Sequence, residues 1–155
     1  MRIGSLIAFL SLSLVSAAAP AFAAGAPMPK PAYDAMLKRA NTDVGKAEAA
    51  AAKTLAARAS RARLKRAILV WASTESRLGR SFRSIRPPAR AAAANALLAR
   101  GELTFGSELA DAATHLPRTP HAIAAYLQRK LGSARGAAMI DEALKKLKAA
   151  GYGAS

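Results

Sequence analysis

The chain has no cysteine, few aromatic residues and few acidic residues. Among its 155 residues there are 0 cysteines, 5% aromatic residues, and 9 Asp and Glu against 24 Lys and Arg. Without cysteine, no disulfide can brace the fold, and both thiol catalysis and thiolate metal sites are excluded. No stretch keeps the polar–apolar alternation of a half-buried strand. These absences predict a helical protein that depends on an apolar core.

The first 23 residues have the organisation of a secretory signal peptide. Arg2 supplies the positive charge, residues 6–15 are largely apolar, and Ala21-Phe22-Ala23 forms a small-x-small cleavage site. A membrane-spanning helix would need roughly 20 apolar residues, which makes an uncleaved anchor the weaker interpretation. We therefore expect cleavage after Ala23 and a periplasmic or secreted mature chain with no transmembrane segment.

The basic excess gives the chain a formal net charge of +15. Such a charge attracts anionic polymers and surfaces. In a cytosolic protein it would point first to nucleic acid. For an exported chain the expected partners are lipid headgroups, lipopolysaccharide, peptidoglycan, released DNA or an acidic envelope protein.

The helical patterns predict an all-α fold, a compact bundle of about five short helices with a longer Ala-, Lys- and Arg-rich N-terminal helix. Prolines make residues 24–41 a predicted tether. Residues 42–63 are a basic, Ala-rich helical arm with little to bury, and residues 64–155 form the bundle. The long helix is expected to begin near Tyr33 or, with a better cap, at Thr42 or Asp43, and to continue to about Leu78.

Proline and glycine delimit the remaining predicted helices. Pro87-Pro88 ends the long helix, Gly101 is expected to end a second helix, and Thr104 to cap a third. Thr119-Pro120 is a strong helix start. The predicted ranges are 89–100, 104–115, 119–131 and 133–151. The predicted core comprises Leu64, Ile68, Trp71, Leu78, Leu97, Leu98, Phe105, Leu109, Leu116, Ile123, Leu127, Leu131, Ile140, Leu144 and Leu147.

A basic segment is the largest candidate binding surface. Guanidinium groups match phosphate and carboxylate with two parallel hydrogen bonds. Arg58, Arg61 and Lys65 are expected on one helical face, because they stand three and seven residues apart. The candidate anion-binding residues are Arg58, Arg61, Lys65, Arg66, Arg77, Arg80, Arg83, Arg86 and Arg90. The alternative is a merely solvated helix face.

Glu75 is the candidate catalytic residue. It lies within an apolar helical stripe with Leu64, Ile68, Trp71 and Leu78. The Glu75-Ser76 pair resembles the catalytic acid of lytic transglycosylases, which cleave peptidoglycan with one glutamate. Burial beside Trp71 would raise the pKa of Glu75, as a general acid requires. The alternative is an ion pair with Arg77 or Arg80.

The segment Leu116-Pro117-Arg118-Thr119-Pro120-His121-Ala122-Ile123 resembles the start of the third helix in Myb-like and other helix-turn-helix domains. That resemblance implies a DNA-binding protein, which is a further alternative. The structural interpretation is that Thr-Pro simply starts a helix whose apolar residues enter the core.

No other motif suggests a cofactor or metal. The two histidines, His115 and His121, have only Asp111 at ligand spacing, and His115 is better placed to stabilise a helix C-terminus. No phosphate-binding loop, nucleophile elbow or paired-carboxylate motif is present, which argues against a conventional enzyme. The sequence thus favours a non-catalytic exported basic protein, with neither cofactor nor metal, that binds an anionic partner.

Overall fold

The computed structural model describes residues 26–153, and this part of the chain is all-helical. The elements are α1 (Lys30–Ala56), α2 (Arg61–Ser84), a 3-10 turn (Ala89–Ala91), α3 (Ala92–Thr114), α4 (Pro120–Gly132) and α5 (Arg135–Ala149). The predicted all-α class with about five helices is confirmed. The proposed signal peptide lies outside the described residues. Among the helices of residues 26–153, none has the length and apolar character needed to cross a membrane.

Two helices replace the single long helix expected in the N-terminal half. Helix α1 ends at Ala56, and Arg58 in the following turn has a φ of 48°. Ser60 then caps α2, because its side chain accepts a hydrogen bond from the Arg63 N–H. The expectation that Arg58, Arg61 and Lys65 share one helical face is therefore wrong. The turn reverses the chain so that α1 packs along α2.

Helix α1 also begins earlier than expected. It starts at Lys30, so a start at Thr42 or Asp43 is wrong, and Tyr33 lies inside the first turns. Tyr33 and Leu37 are buried, and Ala47 and Ala51 bury the second half of the helix. Most of the predicted tether is thus helical and packed, because its few apolar side chains fit the surface of the bundle.

Helix α3 runs through both the predicted second and third helices. Gly101 does not cap a helix but lies within α3, where a Cβ atom would approach Ile140 of α5 to 2.9 Å. A glycine at a close helix crossing and a glycine at a helix end look alike in sequence. The predicted break at 101–104 is therefore wrong.

The last two helices follow the prediction more closely. Thr119 is the N-cap residue of α4, although its side chain makes no capping hydrogen bond. Helix α5 starts at Arg135, two residues after the predicted start. Its first turn is capped from α3, because the Glu108 carboxylate accepts hydrogen bonds from the Arg135 and Gly136 N–H groups, each at 3.0 Å.

Helix α3 lies at the centre, packed against α2 on one side and α5 on the other. Most predicted core residues are buried, but Leu144 is exposed, and Leu97, Leu131 and Ile140 are only partly buried. Tyr33, Phe82 and Tyr152 are core residues that the prediction omits. The core consists of two apolar clusters, one around Trp71, Phe105 and Leu109 and one around Phe82, Leu98 and Leu147.

Candidate functional site: an acidic pocket and an arginine face

Two glutamates, Glu75 of α2 and Glu102 of α3, lie between the two core clusters. Their side chains are 1% and 5% exposed. Each glutamate occupies one position of an otherwise apolar core stripe. The two stripes have the same spacing of residues along their helices. In α2 the stripe is Leu64, Ile68, Trp71, Glu75 and Leu78, and in α3 it is Leu98, Glu102, Phe105 and Leu109. The second stripe was the sequence signal by which Glu102 could have been found.

Aromatic side chains hold this carboxyl pair in place. The Trp71 Nε1–H donates a hydrogen bond of 2.7 Å to Glu75 Oε1. The Phe105 ring packs edge-on against Trp71, with ring centroids 5.5 Å apart. Trp71 and Glu75 are four residues apart on α2, and Glu102 and Phe105 are three residues apart on α3. Residues at these spacings lie side by side on a helix, so each helix supplies one carboxyl group and one aromatic ring to the same level of the bundle.

The carboxyl pair holds a proton through neutral pH. Burial, and then the hydrogen bond and the negative charge of Glu75, raise the pKa of Glu102 far above its usual range. A hydrogen bond between two carboxyl groups requires one proton, which the two glutamates share. The pair then carries a single negative charge inside the protein.

The pair lies at the floor of a pocket of about 450 Å³. We call this the acidic pocket. Helices α2 and α3 form its floor, and α1, α5 and Leu131 of α4 form its walls. Leu37, Val44, Phe82, Leu98 and Ile140 are among its apolar lining residues. Its exposed rim carries Asn41, Glu48, Asp141 and Leu144.

The charges around the acidic pocket are opposite in sign to the charge of the chain. Four of the 9 acidic residues line it (Glu48, Glu75, Glu102 and Asp141), whereas its lining includes no Lys, Arg or His. The other five acidic residues each have a partner. Asp34, Asp43, Asp111 and Glu142 form ion pairs with Lys or Arg, and Glu108 caps α5. Among the described residues, the pocket carboxyl groups have no basic partner.

Three of the candidate anion-binding residues, Arg61, Arg77 and Arg86, are engaged within the fold. The Arg61 guanidinium donates two hydrogen bonds, of 2.9 and 2.7 Å, to the carbonyl oxygen of Leu116, which follows the C-cap residue of α3. Arg77 forms a 2.9 Å ion pair with Asp43 of α1. Arg58 lies in the α1–α2 turn, and Arg86 and Arg90 follow α2. Arg86 also interacts within the fold, and its carbonyl oxygen accepts a hydrogen bond from the Met28 N–H.

The remaining candidates lie on the outer side of α2, opposite the acidic pocket. Arg66, Arg80 and Arg83 are exposed and Lys65 is half-buried. Arg63, which belongs to the basic segment but not to the candidate anion-binding residues, is exposed three residues before Arg66. None of these side chains has an ion-pair partner among the described residues. We call Arg63, Arg66, Arg80 and Arg83 the arginine face; the exposed apolar residues Leu69 and Val70 lie within it.

The histidines and the helix-turn-helix-like segment make no further site. His115 caps the end of α3 and pairs with Asp111 on its own helix. Within residues 26–153, no group of three or more His, Asp or Glu side chains is arranged to hold a metal ion. Leu116 and Ile123 of the segment, and Leu127 one turn later, are buried in the core.

Comparison of the chain with protein-family models, curated proteins and solved structures found no match.

Proposed function

We propose that the protein binds an anionic envelope or extracellular partner through the arginine face. One observation carries the proposal. Four arginines on one side of α2 have no acidic partner among the described residues, although the same helix directs its one carboxylate, Glu75, inward. Such a face can give its full hydrogen-bonding capacity to phosphate groups.

The neighbouring apolar residues favour a lipid or lipopolysaccharide surface among these partners. Val70 is 59% exposed and Leu69 is 37% exposed. A membrane interface accepts both arginines and aliphatic side chains, whereas duplex DNA offers few apolar contacts to a helix of this kind. Binding at such a surface gains about 1 kcal/mol for each Lys or Arg that reaches it.

The test is a binding assay with the purified protein on four partners. These are vesicles containing phosphatidylglycerol, lipopolysaccharide, peptidoglycan and duplex DNA, each at low and high salt. We expect tightest binding to one of the first two, with affinity that falls steeply as salt rises. Neutral phosphatidylcholine vesicles should not bind. Absence of salt-sensitive binding to all four partners would contradict the proposal.

Two matched variants distinguish binding through the arginine face from binding through the net positive charge of the protein. The triple variant Arg66→Gln, Arg80→Gln, Arg83→Gln removes three charges from the arginine face. The triple variant Arg129→Gln, Lys145→Gln, Lys148→Gln removes three exposed charges from α4 and α5. We expect the first to weaken binding about tenfold or more and the second to weaken it much less. Equal losses would show that net charge alone is responsible.

A second candidate function is cleavage of peptidoglycan with Glu75 as general acid. It is favoured by one observation, the position of Glu75 on the floor of a pocket beside a second glutamate that shares its proton. The two carboxyl groups are hydrogen-bonded, and thus closer together than the pairs of two-carboxylate glycosidases. Only single-acid chemistry therefore fits. It predicts release of muropeptides by the protein and loss of that release in Glu75→Gln.

A further inference from the structure

The carboxyl pair at the floor of the acidic pocket has little to compensate its charge. Trp71 Nε1–H is the donor that the described residues supply to it. Apart from the proton shared within the pair, Oε2 of Glu75 and Oε2 of Glu102 receive no hydrogen bond. A buried negative charge is costly unless a cation or several donors balance it. The pocket therefore lacks a positive group at this position.

The apolar surface beside the pair continues past Trp71 into a second cleft. This cleft, of about 300 Å³, shares Glu48, Trp71 and Leu131 with the acidic pocket. Its other walls are mostly aliphatic and come from α1, α2 and α4 (Ala51, Ala52, Leu55, Leu64, Ile68, Ala124 and Leu127). Together the two spaces offer a charged end and an apolar extension.

We propose that the acidic pocket binds an organic cation with an apolar tail, an alkyl ammonium or a guanidinium compound. The cationic head would hydrogen-bond the Glu75–Glu102 pair, and the tail would lie over Trp71 in the adjoining cleft. Glu48 and Asp141 at the rim add negative charge along the entry path.

Other ligand classes fit the same lining less well. An anion would meet four carboxyl groups and no basic side chain. A sugar would find few polar partners for its hydroxyl groups among mainly apolar walls, and buried hydroxyl groups without partners are costly. A bare metal ion would need a third ligand near the pair, and the described residues contain no such cluster. An amphiphilic cation satisfies both the charge and the apolar surface.

The test uses the purified protein and simple probes. Trp71 is the only tryptophan in the sequence and lines both spaces, so its fluorescence reports binding directly. We expect octylammonium to change this fluorescence saturably and to bind at least tenfold more tightly than octanol or octanoate. Butylammonium should bind more weakly than octylammonium by tenfold or more, because four fewer methylene groups are buried. Calorimetry on the same probes provides an independent measurement.

Variants locate the binding. In Glu75→Gln, Glu102→Gln the charge is gone but the shape is kept, so octylammonium should lose its advantage over octanol. The control Glu142→Gln removes an exposed carboxylate beside Asp141 that lies outside the pocket and pairs with Lys146. It should bind as the wild type does. Val44→Phe, which narrows the pocket and keeps both carboxyl groups, should weaken octylammonium and octanol alike. A cooperative thermal unfolding transition establishes that each variant is folded.

Several results would overturn this proposal. Equal affinity for octylammonium, octanol and octanoate would mean that the space is only an apolar void. No saturable binding of any ammonium probe would mean that the pair is purely structural. An unchanged octylammonium affinity in the double Gln variant would place the cation elsewhere. The proposal does not depend on the arginine face, because none of these probes or variants involves it.

Discussion

Trp71 and Glu75, one helical turn apart on α2, are joined by a hydrogen bond of 2.7 Å from the indole N–H to the carboxylate. The bond fixes the indole across the floor of the acidic pocket, where Phe105 packs against it edge-on. The same ring thus contacts the charged pair and also lines the neighbouring apolar cleft. Any change in the protonation of the pair should consequently alter the fluorescence of Trp71.

The raised pKa of Glu102 predicts a pH-dependent stability. In the unfolded chain this carboxyl loses its proton near its ordinary value of 4.5, whereas the folded protein retains the proton to much higher pH. The contribution to stability is therefore full below about pH 4.5 and declines as the pH rises toward the folded-state pKa, by at most ~1.4 kcal/mol per pH unit.

The measurement is the free energy of unfolding by urea between about pH 5 and about pH 8, for wild type and Glu102→Gln. Glutamine donates to Glu75 as the neutral acid does but does not titrate. We expect the variant to lose less stability than the wild type as pH rises. Parallel pH profiles would contradict a raised pKa at Glu102.

Tyr33 anchors the start of α1 to the centre of the bundle. Its hydroxyl group donates to Asn95 Oδ1 at 2.9 Å, and Asn95 Nδ2 donates to the Phe82 carbonyl oxygen at 2.8 Å. Tyr33→Phe leaves a buried acceptor without its donor, and should reduce the free energy of unfolding by about 1–3 kcal/mol. Tyr126→Phe is the matched control. Its hydroxyl group has no partner among the described residues, so the loss should be near zero.

Gly136 sets the distance between α5 and α3. A Cβ atom there would overlap the backbone of Phe105, which lies one turn from Glu102. Gly136→Ala should reduce the free energy of unfolding by about 1–3 kcal/mol, because α3 and α5 must separate, and it should also disturb the pocket.

Gly45 in α1 is the matched control, because no atom lies within 4 Å of a Cβ atom built there. Gly45→Ala should therefore stabilise the protein by about 0.5–1 kcal/mol. The midpoints of thermal unfolding of Gly136→Ala and Gly45→Ala, each relative to the wild type, test both expectations.

Arg61 has a structural role that its neighbour Arg63 does not share. Because both guanidinium hydrogen bonds of Arg61 reach Leu116 O, Arg61→Met should destabilise the protein by about 1–2 kcal/mol. Arg63→Met should change stability by less than ~0.5 kcal/mol, since that side chain is exposed. For binding to anionic vesicles the order should reverse, with the larger loss in Arg63→Met. The unfolding midpoints and the vesicle affinities of both variants test these two opposite orders.

Much of the fold follows from local sequence. The start of α4 was predicted from Thr119-Pro120, and α5 from its apolar stripe, because both depend on residues close in sequence. The turn between α1 and α2 was missed, since nothing in an Ala-rich segment marks it except Ser60. The continuous α3 was missed because Gly101 reflects a contact with α5, which no local pattern reveals.

The candidate site was only half predicted. The apolar stripe of α2 identifies Glu75 from the sequence, whereas Glu102, whose stripe in α3 has the same spacing, is not among the predicted site residues. Their pairing depends on how α2 and α3 cross, where Gly79 and Gly106 allow close approach. Similarly, the roles of Arg61 and Arg77 depend on Leu116 and Asp43, each more than thirty residues away.

Helix α2 turns its single carboxylate toward the interior and its unpaired arginines toward solvent, which gives this helix a charge polarity across its axis. On an anionic layer, this polarity would direct the arginine face toward the layer. The mouth of the acidic pocket, between α1 and α5, would then point away from it. A protein adsorbed in this orientation leaves the pocket open to the surrounding fluid, so the two sites would not compete for space.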